Sequence, residues 1–393
     1  MRQPIRVAMI IQGYLPRLGG AERQLAALAP LLHAQGVEVH VLTRRYAGLS
    51  PFEVIGGVPV HRLPVLGPKR VASATFTLSA LPLLRRLRPH LIHAHELLSP
   101  TTTAVAAKRL LGVPVAAKVL RGGTWGDIAK LKRNALSARR ITTLLRQVDV
   151  FIAISHEIEH ELAEINVPPE RRVFIPNGVD TQRFAPLPLE GKRALRARLG
   201  LPLEAPLVLV AGRLAPEKRV GQLIELWPVV RQSHPTTQLI ILGSGEEEAA
   251  LKRAAGAGIQ FVGYQDDVAP YLQAADVFVL PSATEGLSNA LLEALAVGLP
   301  VIATSVGGAP DVIEHNVHGC LVPPDQPPAL QAAMIHLLHD AEGRARLGQH
   351  GRERMLHDYT LPVIAGRLRE LYGQLTSAPS LNRALTTARS RSA

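Results

Sequence analysis

Short apolar runs alternate with longer segments of helical periodicity, and this alternation constrains the fold more than any other feature of the sequence. RVAMII (6–11), VEVHVLT (37–43), HLIHAH (90–95), VPVAAKVL (113–120) and VDVFIAIS (148–155) are too short for helices and almost continuously apolar. Strands of a parallel sheet covered on both faces read this way. Between them lie amphipathic segments such as AERQLAALAPLLHAQG (21–36) and TTTAVAAKRLLG (101–112), which suit crossover helices. A second series starts after the Pro-containing stretch FAPLPLEGKR (184–193). It runs through LVLVAGR (207–213), VGQLIELWPVVRQS (220–233), QLIILGSG (238–245), IQFVGY (259–264), DVFVLPS (276–282), ALLEALAVG (290–298) and LPVIATS (299–305). The expected class is α/β, with two doubly wound Rossmann-like domains over 1–185 and 186–361. A final helix over about 362–376 is expected to pack back on the first domain, and the small, polar and basic residues of 377–393 read as a flexible tail.

Composition agrees with two buried cores: 393 residues, 47% hydrophobic and 19% charged, are neither disordered nor organised around one core. The single cysteine, Cys320, permits no intramolecular disulfide and no multi-cysteine metal cluster, so nothing calls for an oxidising compartment. VAMII near the start is too short for the core of an export signal, and VASATFTLSALPLL (71–84) is too short to span a bilayer. A cytoplasmic protein is expected.

The formal charge of +12 is unevenly spread. Lys108, Arg109, Lys118, Arg121, Lys130, Lys132, Arg133, Arg139, Arg140 and Arg146 face one acid, Asp127. Such a face either keeps the chain in solution or attracts an anionic membrane surface or phosphate-bearing acceptor. The segment 125–147 reads as one amphipathic helix suited to that contact, placing the protein peripherally on the inner face of the membrane. No zinc-ligand spacing, aromatic RNA-binding motif or helix-turn-helix pattern accompanies the charge, so nucleic acid is not an expected partner.

The most informative segment is PSATEGLSNALLEALAVGLPVIAT (281–304). Glu285 and Glu293 flank the end of a strand and the start of a helix, the edge at which doubly wound sheets bind ligands. Gly286 permits close backbone approach there, and the helix start beyond Leu287 and Ser288 offers N–H groups and a positive dipole end to an anion such as a diphosphate. Glu293 is placed to accept hydrogen bonds from ribose hydroxyls. AGRLAPEK (211–218) sets Arg213 and Lys218 in the loop after a strand, where a guanidinium and an ammonium can meet the same diphosphate. In GYLPRLGGAE (13–22), Gly19 and Gly20 allow backbone approach to a sugar or phosphate. Neither half carries the G-x-G-x-x-G turn of a dinucleotide-binding domain.

GGAERQL (19–25), PHLIHAH (89–95), PNGVD (176–180), AGRLAPEK (211–218), LGSGEE (242–247), EGLSNALLE (285–293) and VGGAPDVI (306–313) occur in an order that resembles the retaining glycosyltransferases of family 4. The resemblance covers nearly the whole chain. It implies the GT-B fold, two Rossmann-like domains facing across a cleft, and transfer of a sugar from a nucleotide-diphosphate donor, with UDP as the expected nucleotide. The acceptor would be a hydroxyl of a glycan or lipid-linked molecule in cell-envelope polysaccharide or glycoconjugate synthesis.

His95 matches the family's active-site histidine, while His93 is expected to pack. Catalytic roles then fall to His95, Arg213, Lys218 and Glu285, and donor contacts to Gly19, Gly20, Gly212, Gly286, Leu287, Ser288 and Glu293. Asn177 and Gly178 would shape the cleft. The resembling pattern usually has glycine where Arg219 stands. Without an Asp-x-Asp motif or a ligand cluster, no cofactor and no essential divalent metal is expected. The alternative is a catalytically decayed sugar-binding or scaffolding subunit of the same fold.

Overall fold

The computed structural model describes residues 4–17, 19–133 and 135–377, so the stretch 378–393 read as a flexible tail lies outside the described residues. Two compact units emerge, one running to Pro176 and resuming at Leu361, the other Asn177–Thr360. The first boundary precedes the 185 read from sequence because the Val179 N–H donates to the Tyr359 carbonyl at 2.8 Å, drawing that segment into the second unit.

The first unit contains β1 (Ile5–Ile10), α1 (Gly20–Ala34), β2 (Val37–Arg44), β3 (Phe52–Ile55), β4 (Val58–Leu63), α2 (Lys69–Leu87), β5 (Leu91–His95), α3 (Ser99–Leu111), β6 (Val115–Val119), α4 (Asp127–Lys132), α5 (Ala135–Gln147), β7 (Val150–Ala153), α6 (His156–Glu164) and β8 (Arg172–Phe174). Its sheet has the order β3-β4-β2-β1-β5-β6-β7-β8. Every pairing is parallel except β3 on β4. All residues of β5, β6 and β7 are buried, as strands covered on both faces require.

The second unit contains α7 (Leu189–Arg198), β9 (Leu207–Ala211), α8 (Val220–Ser233), β10 (Gln238–Leu242), α9 (Glu248–Ala254), β11 (Ile259–Gly263), α10 (Ala269–Ala274), β12 (Val277–Leu280), α11 (Asn289–Val297), β13 (Val301–Thr304), α12 (Ala309–Val312), β14 (Cys320–Val322), α13 (Pro327–His339) and α14 (Ala341–Asp358). Its six strands are ordered β11-β10-β9-β12-β13-β14 and all pair in parallel. The chain then returns to the first unit as α15 (Leu361–Ser377).

The periodicity of α15 explains that return. Leu361, Ile364, Ala365, Leu368, Leu371 and Tyr372 form one apolar stripe and enter the core made by Val7, Met9, Leu25, Leu28 and Leu91. The facing stripe of α1 is Gln24, Leu25, Leu28, Ala29 and Leu32. Full burial of side chains of this size stabilises by about 1.5–3 kcal/mol each, so α15 is part of the first unit's core.

Two features depart from the sequence reading. The hairpin β3–β4, a pair joined by Gly56–Gly57, was not expected at the sheet edge. The stretch 125–147 is not one helix. Trp125 and Gly126 precede α4, and helical structure divides into α4 and α5. Asp127, the first residue of α4, is 1% exposed and turns inward to accept from the N–H groups of Leu97 and Leu120, which fixes where that helix starts.

Candidate active site

In the second unit the strand order reverses between β9 and β12, because the chain proceeds from β9 to β10 on one side and later places β12 on the other. The loops leaving the C-terminal ends of these two strands therefore diverge at a switch point, where doubly wound sheets take their ligands. One loop carries Gly212, Arg213 and Lys218, and the other carries Glu285, Gly286, Leu287 and Ser288.

The loops are tied by side chain and backbone. Lys218 Nζ lies 2.5 Å from Glu285 Oε1, and the same oxygen accepts from Ser282 Oγ at 2.7 Å. Arg213 pairs with Glu217, and the Glu217 carbonyl accepts from the Ala283 N–H at 2.8 Å. Glu285 is thus oriented by a cation and a hydroxyl, with its side chain 10% exposed. Behind it Thr304 Oγ1 donates to the carbonyls of Ser282 and Leu280, bracing the strand end.

Two glycines make close approaches that no other residue would allow. Gly243 has φ +131, and a Cβ there would lie 1.8 Å from the Gly212 carbonyl oxygen, so the loop after β10 presses directly on the loop after β9. Gly307 has φ +58, and a Cβ there would lie 2.6 Å from the Glu285 carbonyl oxygen. The adjoining Gly308 N–H donates to the Gly286 carbonyl at 2.7 Å.

Ser288 is the N-cap of α11, its hydroxyl accepting from the Leu291 N–H at 3.3 Å. Its side chain is committed to starting that helix. Glu293 follows one turn along, half-buried. Asn177 Nδ2 donates to the Leu287 carbonyl at 3.2 Å and to Asn289 Oδ1 at 3.1 Å, so PNGVD anchors the entrance of α11. Arg219 adopts φ +50, a left-handed conformation that glycine takes without strain, which is the physical reason a glycine suits this position. Its side chain pairs with Asp325 at 2.5 Å.

His95, Gly19 and Gly20 belong to the first unit, where the strand order reverses between β1 and β5. Gly19 is the extended N-cap of α1 and Gly20 its first residue. A Cβ at Gly19 would meet a carboxylate oxygen of Glu22 at 2.5 Å, so the loop folds over that acid. His95 ends β5 and is 6% exposed; its ring stacks on His93 with centroids 4.3 Å apart. Burial, reinforced by His93 and Lys118, holds its pKa well below the ordinary range, so the ring is neutral. Its Nε2 is buried without a hydrogen-bond partner among the described residues. Lys118, in register with His95 on β6, is itself buried, which brings its pKa down to about 8.

The sequence reading missed Ser282, Thr304, Asn289, Glu217 and Glu96. Glu96 follows His95 directly, and burial together with neighbouring Asp127 pushes its carboxyl up to about 7. Adjacency to His95 was the available signal for Glu96. The others reveal themselves only when the loops are folded together.

Residues 18–183 match the family described as Glycosyltransferase Family 4, and residues 205–340 match Glycosyl transferases group 1. The D-inositol 3-phosphate glycosyltransferase of Streptomyces scabiei is 31% identical over 393 aligned positions, covering 88% of this chain and 86% of the relative. The chain belongs to glycosyltransferase family 4. It is an enzyme that uses a nucleotide-sugar donor. A second family 4 relative is the GDP-mannose-dependent monoacylated alpha-(1-6)-phosphatidylinositol monomannoside mannosyltransferase of Corynebacterium glutamicum, 36% identical over 207 residues. That alignment spans 49% of this chain and about half, 54%, of the relative. Among solved structures, Anabaena HepE in complex with UDP-glucose superposes with a TM-score of 0.79 at 19% identity, covering 94% of this chain and 100% of that one. This likeness establishes the GT-B fold of the family 4 enzyme.

Proposed function

We propose that this glycosyltransferase moves a sugar from a UDP-sugar, with retention at the anomeric carbon, to a hydroxyl of a glycan or lipid-linked acceptor in cell-envelope polysaccharide or glycoconjugate synthesis. The observation that carries the reading is the pairing of Lys218 with Glu285 across the two loops that diverge at the switch point, with Arg213 on the first of those loops and α11 starting just beyond the second. Leaving-group charge is stabilised there by the guanidinium, the ammonium and the helix dipole. An ammonium has three donors, so Lys218 can keep Glu285 while reaching the diphosphate. Glu285, held by Lys218 and Ser282, orients the sugar, and Glu293 takes the ribose hydroxyls. The departing phosphate takes the acceptor's proton, so the reaction relies on positioning rather than a carboxylate pair.

The reading includes no essential divalent metal. In this reading Arg213 and Lys218 supply the charge that compensates the diphosphate. It also includes peripheral attachment to an anionic membrane face. Arg109, Arg139 and Arg146 line one cavity of about 360 Å³ with Thr142 and Thr143, and no helix among the described residues is long and apolar enough to cross a membrane. Liposome sedimentation tests this, with salt-insensitive binding unchanged by removal of the arginine charges counting against it.

A second donor, GDP-mannose, is favoured by the name of the Corynebacterium relative. Nucleotide release from UDP-, GDP- and ADP-sugars, with and without acceptors and EDTA, decides. Release from UDP-sugars that survives EDTA and collapses in Glu293→Ala and Lys218→Ala supports the proposal, and release from GDP-mannose alone replaces the nucleotide. Absence of both turnover and donor binding would leave a decayed sugar-binding subunit.

A further inference from the structure

In the second unit two residues with left-handed backbones are joined by one ion pair. Arg219 has φ +50 and Asp325 φ +61, a region that non-glycine residues occupy only when their surroundings hold them. The Arg219 guanidinium meets the Asp325 carboxylate at 2.5 Å, joining the loop after β9 to the loop after β14. The helices that follow these loops, α8 and α13, share one core, to which Leu223, Trp227 and Val230 contribute from the first and Leu330, Met334 and Leu337 from the second.

The pair does not offset the strain at Arg219. A left-handed conformation disfavours an ordinary side chain by about 5–30-fold in population, whereas an exposed ion pair stabilises by about fivefold at most. The Asp325 side chain is 74% exposed, which puts the pair in that class. Glycine takes φ +50 without strain and would serve the fold at least as well at 219. A backbone outlier whose cost the fold does not recover points to a use other than stability.

The neighbouring residue is Lys218. Pro216–Lys218 form a single 3₁₀ turn, closed by the Lys218 N–H on the Ala215 carbonyl at 2.9 Å and the Arg219 N–H on the Pro216 carbonyl at 3.2 Å. The loop after β12 holds this turn through Ala283 on the Glu217 carbonyl and Glu285 on the Lys218 ammonium. Asp325 holds the next residue from a different loop. A diphosphate draws the Lys218 ammonium toward itself, and a tether on Arg219 keeps the turn from following. We infer that Arg219 is a positioning residue for donor binding: paired with Asp325, it fixes the turn that carries Lys218 independently of Glu285. The inference rests on the transferase reading and adds to it the residue that sets how firmly Lys218 is held.

Calorimetry with UDP, GDP and ADP tests it on the full chain, beside hydrogen exchange of the nucleotide-free protein over 214–223. The nucleotide that wild type binds best should bind about fivefold more weakly to Arg219→Gly and to Asp325→Asn, the full worth of the pair. The double variant should be no weaker than either, because both remove one interaction. Arg219→Lys keeps a charge for Asp325 and should retain most of the affinity. Arg219→Gly should not melt earlier than wild type, since glycine relieves the strain. If it does, the comparison passes to Asp325→Asn, whose asparagine tolerates the left-handed backbone. Undiminished binding by Asp325→Asn overturns the tether. So does tighter binding by Asp325→Asn beside weaker binding by Arg219→Gly, which would place the guanidinium on the diphosphate itself. Asp325→Asn should also speed exchange at the amides of Lys218 and Arg219, and unchanged rates overturn the inference. If wild type binds no nucleotide, the donor reading fails and exchange alone decides the tether.

Discussion

Lys218 and Glu285 stand 67 residues apart in sequence, yet their charged groups meet at 2.5 Å, joining the loop after β9 to the loop after β12. Neither side chain is fully exposed, at 24% and 10%, so the pair is partly shielded from solvent. Lys218→Ala removes charge from the leaving group and also frees the acid. Transfer is expected to fall about 10²–10³-fold, as when one preorganised charge stabiliser is lost. Stability should fall by only about 1–2 kcal/mol, because Ser282 still donates to the carboxylate. Initial rates beside a urea melt check both numbers; a loss of rate no greater than the loss of folded protein would remove Lys218 from the chemistry.

Gly243 offers a backbone test of the same site. In Gly243→Ala the new Cβ would collide with the Gly212 carbonyl, where no side chain can move aside, and φ +131 is itself unfavourable. A cost of about 2–4 kcal/mol follows, together with weaker donor binding as the loop carrying Arg213 shifts. Gly200→Ala is the matched control. Its φ is +66 with nothing within 4 Å of the new Cβ, and about 1–2 kcal/mol is expected. Equal melting curves for the two variants would show that the contact between loops is unimportant.

The strands legible in the sequence were those buried on both faces, such as Leu207–Ala211 and Leu91–His95, because continuous apolar runs need no tertiary context to interpret. The pair β3–β4 was less visible. Phe52, Glu53 and Val54 are exposed and give no apolar run to follow. At the site, motif order brought out Arg213, Lys218 and Glu285, but not what holds them. Ser282 and Thr304 are ordinary residues until one is seen donating to Glu285 and the other bracing its strand. Asn177 was read as shaping the cleft, and the hydrogen bonds of its amide to Leu287 and Asn289 at the start of α11 were not legible. Asp127 looked like an isolated acid in a basic stretch and is the pin of a loop.

Glu96 makes stability depend on pH in a particular direction. Its carboxyl is pushed from 4.5 to about 7 by burial first and Asp127 second, so the fold disfavours the ionised form. Below pH 4.5 the group is protonated in both states and contributes no pH-dependent penalty. Between 4.5 and 7 the unfolded chain releases its proton first, and the fold loses stability on the order of 2–3 kcal/mol. Glu96→Gln lacks that penalty. Its stability relative to wild type should therefore rise between pH 5 and pH 7.5 in chemical denaturation, and a pH-independent difference would contradict the assignment.

His93 acts in the opposite direction and couples the strand of His95 to the end of the chain. Its Nδ1 lies 2.7 Å from the hydroxyl of Tyr372 on α15, and both side chains are buried. Burial, aided by the Lys118 charge, lowers the histidine's pKa from 6.5 to about 3, so the folded ring stays neutral while the unfolded ring takes up a proton below 6.5. The corresponding stability is present above pH 6.5 and drains away as pH falls toward 3. Tyr372→Phe leaves Nδ1 buried without this partner and should cost about 1–3 kcal/mol at neutral pH. His93→Gln should cost stability at pH 7.5 and show a shallower decline than wild type between pH 6.5 and 4.5. Parallel declines for the two proteins would mean that His93 does not set the acid sensitivity, leaving its contact with Tyr372 to be judged from the neutral-pH cost alone.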